Sequence, residues 1–451
     1  MDHTVRVARR QCVGFGQPVM APIREPDSLP RPGQPAGSAD AAMPFDHIVV
    51  VMLENHSFDN LLGALARSGQ PAADGLSFDS AGRPTNTNPG AAGTPATVAA
   101  FAFSSTAQGS HVSQSWNATH EQINGARMDG FVRSVNATQP MGYYPREVLP
   151  FAYDLAATFT LANRWFCSAP CMTFPNRRFL MAGTAYGDIS TDLQSLADPP
   201  PPNGTIFDRL HAHGITWRDY FSDVPYTAII PSIIEKYPGN LATLEHFFHD
   251  CAKGTLPSVS LVDPEAGAVS LVGKTLASLP VVGSILGTLG TFGGDEEAPQ
   301  DMYYGEVWAH RVVEAVLHSP AWPRTLLIYT YDEHGGYYDH VPPPAAIVPD
   351  SIPPRLTRGD VPGGYDIYGP RVPAVVVSPY AKPRAVTNVV HDHTSVLATI
   401  EAKWNLPALT YRDANAATVM DFLDPGARGV RDAAGHPGSL AHRTVGPCRL
   451  T

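Results

Sequence analysis

The sequence predicts an α/β domain with a central, mostly parallel sheet, and three observations lead there. Two apolar runs, Phe45–Leu53 and Thr325–Tyr331, are continuous rather than alternating, as in strands buried on both faces. The first ends abruptly in an acid and an amide and the second in two acids, at the position where open α/β sheets bind ligands. Helical patterns followed by shorter apolar runs add further α/β units along the chain.

At 451 residues, with 43% hydrophobic and 16% charged residues, the chain can bury an ample core. Its 31 basic residues against 42 acidic give a net charge of −11, which argues against a nucleic-acid partner. The five cysteines are odd in number and scattered, so a disulfide framework is not expected. Cys167 and Cys171 are close enough in sequence for a local bridge or for two free thiols.

Residues 1–44 are rich in Pro, Gly and Ala and read as a flexible leader. Residues 45–451 then form a single catalytic domain. No signal peptide is visible at the start, which leaves a cytoplasmic protein or one exported with its signal already removed.

Taken in order, Phe45–Leu53 is a central strand, and Glu54-Asn55-His56-Ser57-Phe58-Asp59 follows it. A Gly-, Ala- and Pro-rich excursion runs from Gly63 to about Ser105. Leu149–Asn163 reads as helix. Thr173 precedes Pro175, which suits the first turn of the next helix. Thr205–Tyr220 reads as helix, glycine stop and strand, and Leu256–Val262 as a short strand. Ala268–Gly294 is apolar and Gly-rich, and suits a lid, a lipid-touching loop or a packed insertion rather than a membrane span. Tyr304–Leu317 is an amphipathic helix leading into Thr325–Tyr331. Arg371–Ser378 is one more strand, and His391 to Ser395 cap a helix that reaches Trp404.

The acids at the two strand ends suggest the chemistry. If the strands are neighbours, Glu54, Asn55, Asp332 and Glu333 converge on one crevice. Hard oxygen ligands of this kind favour one divalent ion: Ca²⁺, Mg²⁺ or Mn²⁺, with Zn²⁺ open because histidines are near. Thr173, at a helix start where a phosphoryl group is favoured, could join the ion as a nucleophile. Most threonines in such a place are merely caps.

These motifs resemble a known family. Glu54-Asn55-His56-Ser57-Phe58-Asp59, Thr173-Phe174-Pro175-Asn176-Arg177, and Tyr331 to Val341 with its Asp-Glu-His-Gly-Gly core are similar to the signatures of bacterial phospholipase C and acid phosphatase enzymes. Asn124 to Phe131 and His393-Thr394-Ser395 resemble further landmarks of that family. The resemblance implies an alkaline-phosphatase-like α/β/α sandwich. It also implies a metal held by Glu54, Asn55, Thr173, Asp332 and Glu333, and a phospho-threonine intermediate on Thr173. Phospholipase C-like cleavage of a phospholipid is the favoured activity. A broad phosphomonoesterase and a non-catalytic phosphate- or metal-binding relative are the alternatives, and a small phosphate ester is the other substrate class. Peripheral membrane contact and an exported location would follow by analogy.

Two positions depart from the family. Glu297, in Asp295-Glu296-Glu297-Ala298-Pro299, stands where a histidine acid is usual, and so becomes the expected proton donor. Gln114 stands where a phosphate-contacting histidine is usual, with His111 close by. Asn176, Arg177, His120, His334 and His340 complete the expected substrate contacts.

Overall fold

The computed structural model describes residues 24–426 except 111, 193, 266–293 and 295. His111, most of the apolar insertion and the first half of the leader therefore lie outside the described residues. Eight strands form the main sheet. In chain order they are β1 (His47–Leu53), β2 (Thr160–Ala162), β3 (Trp217–Phe221), β4 (Leu241–Thr243), β5 (Val259–Asp263), β6 (Thr325–Tyr331), β7 (Ala374–Val377) and β8 (Val386–Thr387). Across the sheet the order is β8-β2-β7-β6-β1-β5-β3-β4. Every pairing is parallel except those of β7, which runs antiparallel to both β6 and β2.

The two apolar runs are the adjacent middle strands. β6 is buried at every position and β1 at all but His47, as expected of strands covered on both faces. Their register runs from His47 opposite Thr325 to Leu53 opposite Tyr331. Glu54 therefore leaves the sheet level with Asp332, and Asn55 level with Glu333. The expected α/β architecture with a mostly parallel sheet is what the chain forms.

Two local expectations change. Leu149–Asn163 is not one helix: it is a helix, Pro150–Thr158, followed by β2. Thr158 and Thr160 flank Phe159, and residues of this kind favour extended backbone. The described part of the leader is tied down rather than free. Asp27 N–H donates to Ala408 O at 2.9 Å, Asp40 N–H to Lys403 O at 2.7 Å, and Arg31 N–H to Asn405 Oδ1 at 2.8 Å. Polar backbone paired in this way holds residues 24–44 along the helix Thr394–Trp404. Cys167, Cys171 and Cys251 are buried free thiols. No helix among the described residues is long and apolar enough to cross a membrane.

Candidate active site at the carboxyl edge of the sheet

The crevice begins with the exits of β1 and β6. The β6 exit depends on two glycines: Gly335 and Gly336 have φ of 64° and 77°. A Cβ at Gly335 would run into the Asn55 carbonyl, and one at Gly336 into the Ser113 carbonyl. These close approaches bring the Glu54–Asn55 and Asp332–Glu333 segments together and lay the Val112–Gln114 strip over them.

Partners then fix one side of each acid. Asp332 Oδ1 accepts from Glu333 N–H at 2.7 Å, and its Oδ2 from Arg177 Nε at 3.0 Å. Glu333 Oε2 accepts from Gly335 N–H at 2.8 Å, and Glu54 Oε1 from the Tyr226 hydroxyl at 2.5 Å. Glu54 Oε2, Glu333 Oε1 and both side-chain atoms of Asn55 remain buried without a hydrogen-bond partner. Such groups cost free energy unless something binds them.

Electrostatics point the same way. Burial pushes the Glu54 and Glu333 carboxyls well above their ordinary range, and the Asp332 charge pushes them further. Burial also raises Asp332, to about 6, against the pull of Arg177. The neighbouring Glu297 carboxyl raises all three as well. One arginine cannot balance these acids. Three open oxygens from two carboxylates and an amide are hard donors, and they fit a divalent cation. Of the expected ligands, Glu54, Asn55, Asp332 and Glu333 line this crevice, and both oxygens of Asp332 already accept hydrogen bonds.

Thr173 is the first residue of the helix Thr173–Ala182, all of which is buried. Pro175 falls in the first turn, where its missing N–H would have no partner in any case. Met172, not Thr173, occupies the cap position, so the Thr173 hydroxyl is not spent on capping. Four residues on, Arg177 shares its helix face and reaches Asp332 and Glu54, the latter at 3.5 Å. Thr173 thus stands one turn from the residue that contacts the acids.

Several expected substrate contacts have other jobs. Asn176 spends its side chain on the preceding loop: Oδ1 accepts from Ala169 N–H, and Nδ2 donates to the carbonyls of Ala169, Cys171 and Met172. Arg177 is engaged with carboxylates and with the Met52 carbonyl. His120 bonds the Trp116 carbonyl through Nδ1 and lies against the Trp116 ring, one helical turn from it. His334 is fully buried, with Nε2 2.7 Å from Gln122 Oε1, and burial lowers its pKa to about 3. It packs beside Glu333 as a neutral ring. Gln114, at the end of the strip that covers Gly336, is buried with Oε1 unpartnered.

His340 belongs to a second cluster. Among the described residues, Asp59, Asp339 and His340 are the one group of three His, Cys, Asp or Glu side chains whose ligand atoms lie within 4.8 Å of one another. A metal could be held there, but Arg371 is already present. Its Nε donates to Asp339 Oδ1 at 2.9 Å, and one terminal nitrogen lies 3.0 Å from Asp339 Oδ2 and 3.3 Å from Asp59 Oδ1. His340 takes Asp59 Oδ2 at 2.7 Å.

The sequence reading missed Tyr226 and Asp263. Asp263 ends β5 and accepts the Tyr226 N–H at 2.7 Å. An acid closing an apolar strand was the available signal. A groove of about 510 Å³ opens at the opposite edge, beside Trp217 and Pro257, and contains none of these acids.

Residues 45–407 match the phosphoesterase family. The chain belongs to that family. Its relatives include non-specific phospholipase C6 of Arabidopsis thaliana, 33% identical over 86% of this chain and 74% of that protein. Phospholipase C A of Mycobacterium tuberculosis is 28% identical over 80% of this chain and 73% of that protein. Non-hemolytic phospholipase C of Burkholderia pseudomallei is 29% identical over 80% of this chain and 55% of that protein. This phosphoesterase is accordingly a phosphoric ester hydrolase. Among solved structures, an alkaline phosphatase superfamily protein from Vibrio parahaemolyticus aligns over 78% of this chain and 77% of that chain, at 13% identity and a TM-score of 0.35.

Proposed function

We propose that this phosphoesterase acts as a phospholipase C, cleaving the phosphodiester between diacylglycerol and a polar head group through a phospho-threonine intermediate. The carrying observation is the set of open, buried oxygens on Glu54, Asn55 and Glu333, beside the helix that starts at Thr173. The names of its relatives support the phospholipid substrate.

Glu54, Asn55, Asp332 and Glu333 would hold one divalent ion, Ca²⁺, Mg²⁺, Mn²⁺ or Zn²⁺, with Thr173 beside it. When bound, the ion lowers the proton affinity of an adjacent hydroxyl and neutralises phosphoryl oxygens. Thr173 gives its hydroxyl proton to solvent, and its Oγ attacks phosphorus in line and displaces the diacylglycerol oxygen, which takes a proton from the protonated Glu297 carboxyl. Water then gives a proton back to Glu297 as it cleaves the phosphothreonine ester. The head-group phosphate leaves, and Thr173 regains a proton from solvent.

Contact with the lipid surface falls to the start of the helix Met302–Leu317, where Tyr303 and Tyr304 are 47% and 45% exposed, just after the Glu296–Pro299 segment. Aromatic rings with a polar tip suit a lipid–water boundary.

The test compares p-nitrophenyl phosphate with p-nitrophenylphosphorylcholine. The proposal expects turnover of the diester, lost in Thr173→Ala with the fold intact. Activity on the monoester alone would replace phospholipase by phosphatase, and full activity in Thr173→Ala would end the mechanism.

A further inference from the structure

Tyr226 is bound at three points around the acids, more than packing alone requires. Its N–H is fixed by Asp263 Oδ2 at 2.7 Å. The Arg177 guanidinium lies over its ring, 3.6 Å from the centroid. Its hydroxyl donates to Glu54 Oε1 at 2.5 Å. The next residue is held as well, with the Thr227 hydroxyl 2.5 Å from the buried Asp219 Oδ2. The short helical turn Tyr226–Ile229 is thus pinned to the middle of β3 and the end of β5, and it presents one phenol to one carboxylate oxygen.

Arg177 completes the arrangement from the other side. Its Nε takes Asp332 Oδ2 at 3.0 Å, and one terminal nitrogen sits 3.5 Å from Glu54 Oε1. Both donors therefore reach the same oxygen of Glu54 and leave Oε2 as the open one.

We propose that Tyr226, stacked on Arg177, is a positioning residue that turns Glu54 so that only Oε2 is offered to the cation. This rests on the metal reading above. A carboxylate with one oxygen occupied binds through the other, and the strong phenol–carboxylate bond resists rotation of the group. Outer partners that orient ligands in this way are worth about 10- to 100-fold in metal affinity.

The test titrates the metal-stripped full chain with Mn²⁺ by calorimetry, comparing wild type, Tyr226→Phe, Arg177→Lys and Glu54→Ala. Tyr226→Phe keeps the ring over Arg177 and removes only the hydroxyl. The expected result is a Kd raised about 10- to 100-fold in Tyr226→Phe, with an unchanged melting temperature in the absence of metal. Arg177→Lys should weaken binding too, because an ammonium cannot reproduce the planar fork. Saturating Mn²⁺ should restore most of the Tyr226→Phe turnover, which simple loss of folding would not allow. Wild-type Mn²⁺ affinity in Tyr226→Phe, while Glu54→Ala loses it, would overturn the positioning role and spare the metal site. Unchanged binding in Glu54→Ala would overturn both.

Discussion

Two pairs of buried carboxylates lie at the same edge of the sheet, and the protein treats them oppositely. Around Asp59 and Asp339 every carboxylate oxygen has a donor: Arg371 reaches both groups, His340 and its N–H take Asp59, and Val341 N–H takes Asp339. Around Glu54 and Glu333 one oxygen of each is left open, together with the whole amide of Asn55. Compactness alone would favour the first cluster as a metal site, since its ligand atoms are the ones gathered most closely. The hydrogen-bond account reverses that choice. An arginine already supplies the charge at Asp59 and Asp339, whereas the open oxygens at Glu54 and Glu333 are the ones assigned to the proposed cation.

The comparison can be broken at either end. Its largest expected effect is on turnover: chelating the metal should abolish hydrolysis and leave far-UV circular dichroism unchanged. Activity that survives thorough chelation would remove the cation from the scheme. Next is stability. Arg371→Met should strand Asp59 and Asp339 without their cation, costing about 3–5 kcal/mol in chemical denaturation. A loss below 1 kcal/mol (about the value of a surface ion pair) would show that the closed cluster is not closed by Arg371.

A smaller effect should appear with pH. Burial alone would lower the His340 pKa, but the Asp59 charge and hydrogen bond, with Asp339 beyond, lift it from the ordinary 6.5 to about 9. The stability it contributes is complete below pH 6.5 and drains away as pH climbs through about 9. Asp59→Asn should flatten that slope; an unaltered slope would assign it to other groups. The mildest change concerns the proton donor. Glu297→His should move the pH optimum for hydrolysis upward, and an unmoved optimum would release Glu297 from that role.

How much of this was legible depended on range in the sequence. β1 and β6 were readable because strands buried on both faces need apolar residues at every position, and β6 matches its run, Thr325–Tyr331, from end to end. The acids of the crevice were readable because they follow those strands directly. The reversed direction of β7 was not, since an apolar run such as Val372 to Val377 looks the same in either orientation. Pro and Gly in residues 24–44 suggested freedom, but a segment's own composition does not reveal a partner such as Asn405 far along the chain. The same blindness hid Arg371 from Asp59 and Tyr226 from Glu54, which are 312 and 172 residues apart. It also hid the partners of His340 and Asn176, which bond Asp59 and the loop before the Thr173 helix.

The difference between the two clusters is most directly tested by crystals soaked in Mn²⁺ and read by anomalous scattering. A peak among the Glu54, Asn55, Asp332 and Glu333 oxygens, with none between Asp59 and Asp339, is the expected map. A peak at Asp59 and Asp339 alone, with Arg371 swung away, would contradict the account.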